Sequence, residues 1–184
     1  VTERMVGEIE EASNRIAELV LSVKSYTHMD QAQDKQPVNV HQGIKSTVTM
    51  LAHKVKKGNI TIEKEFQEGL STVMGFPGEM NQVFTNILDN AIDALRDREG
   101  AKIVIKTVAD NDFLRVYFRD NGPGIPEDVM QKIFDPFFTT KAIGEGTGMG
   151  LDVVKKVMDH HNGKVEVKSE PGATEFCLCF PIHE

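Results

Sequence analysis

The stretch that most restricts how this chain can fold is residues 77–95, which open at a proline and carry "NILDNAIDAL" at 86–95. Pro77 suits the first turn of a helix, where its missing N–H is no loss. Met80, Phe84, Ile87, Ala91, Ala94 and Leu95 follow at helical spacing and predict a core-facing stripe. Asn86, Asn90 and Asp93 recur at intervals of four and three and fall on a neighbouring stripe. None of the three favours a helix interior, and a merely solvated face would carry Lys, Glu or Arg. The helix therefore buries one side and turns amides and a carboxylate toward a specific partner. Asparagine oxygens are hard ligands of the kind Mg²⁺ accepts, and that ion keeps several waters and bridges to phosphates.

Around this helix the pattern is mixed. Met5, Ile9, Ala12, Ile16, Leu19, Val23 and Tyr26 form a narrow heptad seam, which predicts a bundle or dimerisation helix rather than one lying on its own domain. "HMDQAQDKQP" reads as a linker, giving a helical arm at 1–31 and a second domain at 32–184. In the latter, an extended "PVNV" leads into a helix bearing Ile44, Val48, Leu51 and Val55 that stops at Gly58. "ITIEKEF" and "LSTVMG" read as strands, "KIVIKTV" and "FLRVYFRD" as a hairpin, 151–160 as a helix, and "KVEVKS" with "TEFCLCFP" as a closing hairpin. Hairpins in place of regular strand–helix alternation predict an α+β fold, a two-layer sandwich of one mixed sheet with helices on one face.

Bulk properties exclude several classes. A net charge of −7 argues against nucleic-acid binding. No apolar run is long enough to span a bilayer and there is no signal-like start, so this piece reads as soluble and without membrane contact, and its two free thiols suit a reducing, cytoplasmic compartment. A start at Val1 rather than Met suggests a fragment of a longer protein, whose own membrane attachment stays open. Cys177 and Cys179, two apart on one strand, predict buried free thiols rather than a disulfide, and nothing else has zinc-ligand spacing.

Two glycine-bearing segments complete the pattern. In "DNGPGI" (120–125), Asp120 ends a strand and can accept a hydrogen bond from a nucleobase amino group, with Gly122 and Gly124 letting backbone approach the ring; alone the segment is also an ordinary turn. "GEGTGMG" (144–150) runs into a helix and reads as an anion cradle, but it fits neither the dinucleotide fingerprint nor a P-loop. "IFDPFFTTK" (133–141), between them, is either a core anchor or one end of a lid.

In this order, "NILDNAIDA", "DNGPGI", "IFDPFFTTK" and "GTGMGL" resemble the ATP-binding domain of sensor histidine kinases, within the superfamily of gyrase, mismatch-repair and heat-shock chaperone ATPases. The resemblance covers about residues 38–184, with the arm similar to the second helix of a kinase dimerisation hairpin. It implies ATP and Mg²⁺ as cofactors, with Asn90 and Asn86 holding metal, Asp93 near the nucleotide in a less defined role, and Asp120 reading adenine. It places Gly122, Gly124 and Ile125 at the lid's start, Phe134, Phe137 and Phe138 as its anchor, and Thr139 and Lys141 at the phosphates. Gly146, Thr147, Gly148, Met149, Gly150 and Leu151 would wrap them. Asn86, Asn90 and Lys141 are the catalytic candidates.

In the hydrolytic branches of that superfamily, the place of Asn86 usually holds a glutamate acting as general base. An amide cannot take a proton at neutral pH, so the resemblance implies phosphoryl transfer with slow hydrolysis. The implied partners are a response regulator receiver domain and a second copy joined through the arm. The expected acceptor histidine is not at its usual place: His28 lies at the end of the arm, His41 and His53 fall within the nucleotide domain, and His160 and His161 read as surface residues at a helix end. The expectation is an acceptor helix outside this fragment. A serine/threonine kinase of the same fold and an ATP-gated conformational module are the alternatives.

Overall fold

A computed structural model of the protein describes residues 34–70, 72–110, 112–141 and 146–182. The heptad seam from Met5 to Tyr26 and His28 lie outside the described residues.

The chain runs β1 (Gln36–Val38), α1 (Val40–Met50), α2 (Ala52–Lys57), β2 (Thr61–Phe66), β3 (Val73–Gly75), α3 (Pro77–Ala94), β4 (Lys102–Ala109) and β5 (Phe113–Asp120). There follow the short α4 (Glu127–Met130), α5 (Gly150–His160), β6 (Lys164–Glu170) and β7 (Ala173–Pro181). Five strands form one sheet in the order β2-β4-β5-β7-β6, with β2 and β4 parallel and the other pairs antiparallel. β1 and β3 make a separate antiparallel pair. The α+β sandwich with a mixed sheet is therefore the observed architecture.

Strand alternation decides which face meets the helices. Ile103 and Ile105 of β4, Leu114, Val116 and Phe118 of β5, and Phe176, Leu178 and Phe180 of β7 are buried at every second position. Against them α3 buries Met80, Val83, Phe84, Ile87, Leu88, Ala91 and Ile92. Phe84 lies 6.2 Å from Phe118 and 6.3 Å from Phe180 between ring centroids, which ties the helix to both central strands. Ala94, expected on the buried stripe, is exposed at the end of α3, whereas the adjacent Leu95 is fully buried. Val83, Leu88 and Ile92 bury the stripe's other edge instead.

The helix expected to run unbroken to Gly58 divides at Leu51, whose backbone (φ −88°, ψ 5°) leaves the helical range while its side chain turns inward. α1 starts on Asn39, whose side chain accepts the Gln42 N–H at 3.0 Å. "LSTVMG" contributes a strand only over Val73–Gly75.

His161 corrects the surface reading. Only 2 % exposed, it accepts the Phe76 N–H at Nε2 (3.1 Å), so Nδ1 carries the proton that goes to the Val157 carbonyl at 2.8 Å. His160 is exposed, stacks on Phe76 at 4.8 Å and meets Glu79 at 2.9 Å. Glu79 sits in the first turn of α3 and His160 in the last turn of α5, where each charge sign suits the helix end. Glu79, His160 and His161 are close enough to suggest a metal cluster. With both ring nitrogens of His161 committed to backbone, they act as a clasp between the two helices.

Burial holds the His161 imidazole below its ordinary value, and the desolvated ring of His41 is shifted the same way. The folded state thus binds protons less readily than the unfolded chain, and stability declines as pH falls below about 6.5. Thermal unfolding from pH 8 to 5 is expected to show this loss. His161→Gln should be less stable at pH 8 by roughly 1–3 kcal/mol, seen as a lower unfolding temperature, yet show a flatter pH dependence. An unchanged slope would remove His161 from this role.

Candidate active site

The polar stripe of α3 faces the start of α5. Asn86 donates its amide Nδ2–H to the Gly150 carbonyl at 3.1 Å, and a Cβ on Gly150 would lie 4.0 Å from Asn90 Nδ2. Lys141 reaches the same stripe from the opposite side. Its ammonium forms a short ion pair with Asp93 and lies 3.4 Å from Asn90 Oδ1. All three stripe residues are partly buried, in the seam between α3, the start of α5 and Lys141 that forms the candidate cleft.

This arrangement tests the fit of a metal. The cation that the structure does show here, a lysine ammonium, is held by an amide oxygen and a carboxylate of α3. Hard oxygen donors of this kind match a divalent ion of the Mg²⁺ class.

Asp120 lies at the other end of the same helix. It is 4 % exposed; burial lifts its carboxyl above the ordinary value, opposed by the Gly122 N–H, which it accepts at 2.8 Å. A Cβ on Gly122 would come within 2.6 Å of Asp120 Oδ1 and 3.4 Å of the Ala94 carbonyl, so a side chain there would block the carboxylate. Along α3, Asn86 to Ala94 spans about 12 Å at ~1.5 Å per residue. One elongated ligand can therefore reach both the amides and Asp120.

The segment after Asp120 is fixed to the sheet. Ile125 donates its N–H to Ser169 Oγ at 2.8 Å, and Ser169 Oγ meets Thr174 Oγ1 at 2.9 Å. Thr174, 5 % exposed and paired across the ladder with Asp120, is a polar group that motif reading missed. The available signal was its inward position on the strand beside the one ending in Asp120.

The phenylalanine segment divides differently from expectation. Phe134 and Phe138 are partly buried and Ile133 is the buried anchor, whereas Phe137 is 73 % exposed with φ +65°. Gly148, at φ +67°, packs so closely on the Phe137 backbone that a Cβ would lie 2.4 Å from its carbonyl carbon. Gly146 lies against Thr139 and Lys141, and the Lys141 N–H bonds Thr139 Oγ1 at 3.1 Å. Thr147 Oγ1 accepts the Met149 N–H at 3.4 Å, and Leu151 packs on the core. Gly144 lies outside the described residues. An open depression on α1, with His41, Gln42, Lys45 and Thr49 among its lining residues, shares no residue with this cleft. His41 bonds Thr107 at 2.8 Å and stacks on Phe66.

Residues 75–184 match the family described as histidine kinase-, DNA gyrase B- and HSP90-like ATPase. The sensory histidine kinase/phosphatase NtrB of Vibrio alginolyticus is 32 % identical over 158 residues, 80 % of this chain and 44 % of that protein. The catalytic domain of histidine kinase ThkA superposes with a TM-score of 0.72 at 30 % identity, covering 82 % of this chain and 99 % of that domain. ThkA in complex with the response regulator protein TrrA gives 0.73 at 26 % identity, over 93 % of this chain and 49 % of that one. The chain spans from a fifth to about half of the length of the curated relatives it matches.

The cradle depends on glycines that a methyl group would displace. At Gly124 (φ +86°) a Cβ would lie 2.4 Å from the Glu170 carbonyl oxygen. Gly124→Ala should destabilise the protein by more than about 1 kcal/mol in denaturant titration. An unchanged midpoint would contradict the packing described.

Proposed function

The chain belongs to the histidine kinase-, DNA gyrase B- and HSP90-like ATPase family, and we propose that it is the ATP-binding catalytic part of a two-component sensor histidine kinase. ATP lies along α3, its adenine amino group donating to Asp120 and its phosphates beneath the N-terminus of α5. The helix end offers unpaired backbone N–H groups to phosphate. Asn90, with help from Asn86, would hold Mg²⁺, which would supply neutralisation of phosphate charge. Asp93 holds the Lys141 ammonium beside Asn90, where it would meet a phosphate. Phe134 and Phe138 seat the lid, and Thr139, Gly146, Thr147, Gly148, Met149 and Leu151 shape its phosphate-facing edge.

The observation that carries this reading is the bond from Asn86 to the Gly150 carbonyl. An amide can donate there; a carboxylate cannot, and it would face the carbonyl oxygen with like charge. The site is therefore built around an amide where a hydrolytic relative places its base. Without a group to deprotonate water, bound ATP is kept for another nucleophile, and alignment supplies the catalysis.

The nucleophile in this reading is a histidine on a dimerisation helix outside this fragment, with residues 1–31 as the second helix of that hairpin and residues 32–184 as the catalytic domain. Three of the four described histidines support this: His161 and His41 are engaged in the fold and His160 is paired with Glu79, while His53 is exposed on α2. A response regulator receiver domain is the next acceptor, as the ThkA–TrrA complex suggests, and dimerisation runs through the arm. The reading puts the domain in the cytoplasm; no helix among the described residues is long and apolar enough to cross a membrane. The histidine kinase names of the relatives favour this over a serine/threonine kinase.

Calorimetric titration with ATP tests the arrangement. Asp120→Ala should weaken binding roughly 10-fold or more with or without Mg²⁺, since a buried charge-assisted hydrogen bond is worth about 1.5–3 kcal/mol. Asn90→Ala should chiefly remove the gain that Mg²⁺ gives. Equal loss in both variants, regardless of metal, would contradict the separation of roles. Steady-state hydrolysis should stay far below the enzyme median of about 10 per second, and faster turnover would refute the role given to Asn86. With labelled ATP the fragment should acquire no acid-labile phosphate on any of its histidines.

A further inference from the structure

β7 carries two thiols that the nucleotide site does not use. Its Phe176, Leu178 and Phe180 enter the core, so Cys177 and Cys179 point to the opposite face of the sheet, the one without helices. There Cys177 is flanked across the ladder by Tyr117 and Glu166, and Cys179 by Arg115 and Lys164. Cys177 and Cys179 are 7 % and 6 % exposed, beside these partly or fully exposed neighbours. Their sulfurs are 3.6 Å apart.

That spacing selects among reactions. A disulfide requires the sulfurs at about 2.05 Å and favours Cα atoms about 5.5–6 Å apart. Residues two apart on one strand are held at about 6.6 Å with side chains parallel, near the limit of that range. A single atom bonded to both sulfurs needs a wider gap: on a pyramidal trivalent centre with bonds of about 2.3 Å and an angle of about 95–100°, the two sulfurs lie about 3.4–3.5 Å apart. The pair is already near that distance, and the rigid central strand holds it there.

We propose that Cys177 and Cys179 form a preorganised dithiol site for a thiophilic trivalent centre, of which an organic arsenoxide is the chemical type. In the binding step both S–H bonds break, two As–S bonds form, and the oxide oxygen leaves as water with the two thiol protons. No oxidation state changes, so no oxidant or reductant is required. Burial pushes the Cys177 thiol up to about 12, which leaves it protonated and slow toward ordinary single-site alkylation. The chelate is favoured over two separate thiol adducts because the second bond forms within one molecule.

The test uses phenylarsine oxide on the whole chain, read by intact mass. The folded protein should gain the mass of one phenylarsine oxide less one water, keep it against a hundredfold excess of glutathione, and release it to 2,3-dimercaptopropanol. Cys177→Ser and Cys179→Ser, confirmed folded by ATP binding, should each retain none after the glutathione wash. Failure of the native chain to take up the probe would overturn the site even if a variant did not fold, as would retention by either single variant. Diamide should not readily remove two hydrogens from the native chain; rapid closure to a disulfide would overturn the claim that the pair is spaced for a bridging atom.

Discussion

The structure depends on how α3 is held. Its apolar side is locked between the central strands by Phe84 against Phe118 and Phe180, and this burial aims the opposite side, with Asn86, Asn90 and Asp93, into the cleft. Each buried large side chain contributes about 1.5–3 kcal/mol, whereas a single polar contact at the cleft is worth about 1. The core therefore positions the site, and the site's own bonds refine it. The Asn86 amide and the Lys141 ammonium then draw the start of α5 and the end of the phenylalanine segment onto that helix.

The two ends of the cleft obey different electrostatics. At Asp120, burial makes the carboxylate a demanding acceptor, satisfied in part by one backbone N–H and matched to one further donor. At the amides, the groups are neutral and partly solvated, which suits a hydrated ion more than a naked charge. A ligand with a hydrogen-bonding base at one end and a metal-bridged polyanion at the other satisfies both, and a smaller ligand satisfies only one. The clasp of Glu79, His160 and His161 lies at the far ends of α3 and α5 and serves the pairing of those helices.

Much of this was legible in the sequence because period and residue type agreed. The alternation Ile103, Ile105 and Leu114, Val116, Phe118 marked two strands, and the asparagines on a helical period marked a site wall. What was not legible depended on where elements end in space. Ala94 fits the apolar period of α3 yet emerges from the core, and Phe137 fits an anchor yet is turned outward by its left-handed backbone. Adjacent histidines carry no sign of which one is buried; only the packing of α5 on Phe76 separates His161 from His160. Thr174 became visible only through strand register, which short-range pattern does not fix. The nucleotide reading itself came from the four motifs taken together, since each alone has an ordinary structural explanation.

The most direct measurement is a crystal structure of the protein with Mg²⁺ and a non-hydrolysable ATP analogue. The account predicts the metal on the side-chain oxygen of Asn90, phosphates beneath Gly150 at the start of α5, and the adenine amino group at Asp120. Nucleotide bound away from this face of α3, or metal held without Asn90, would contradict it.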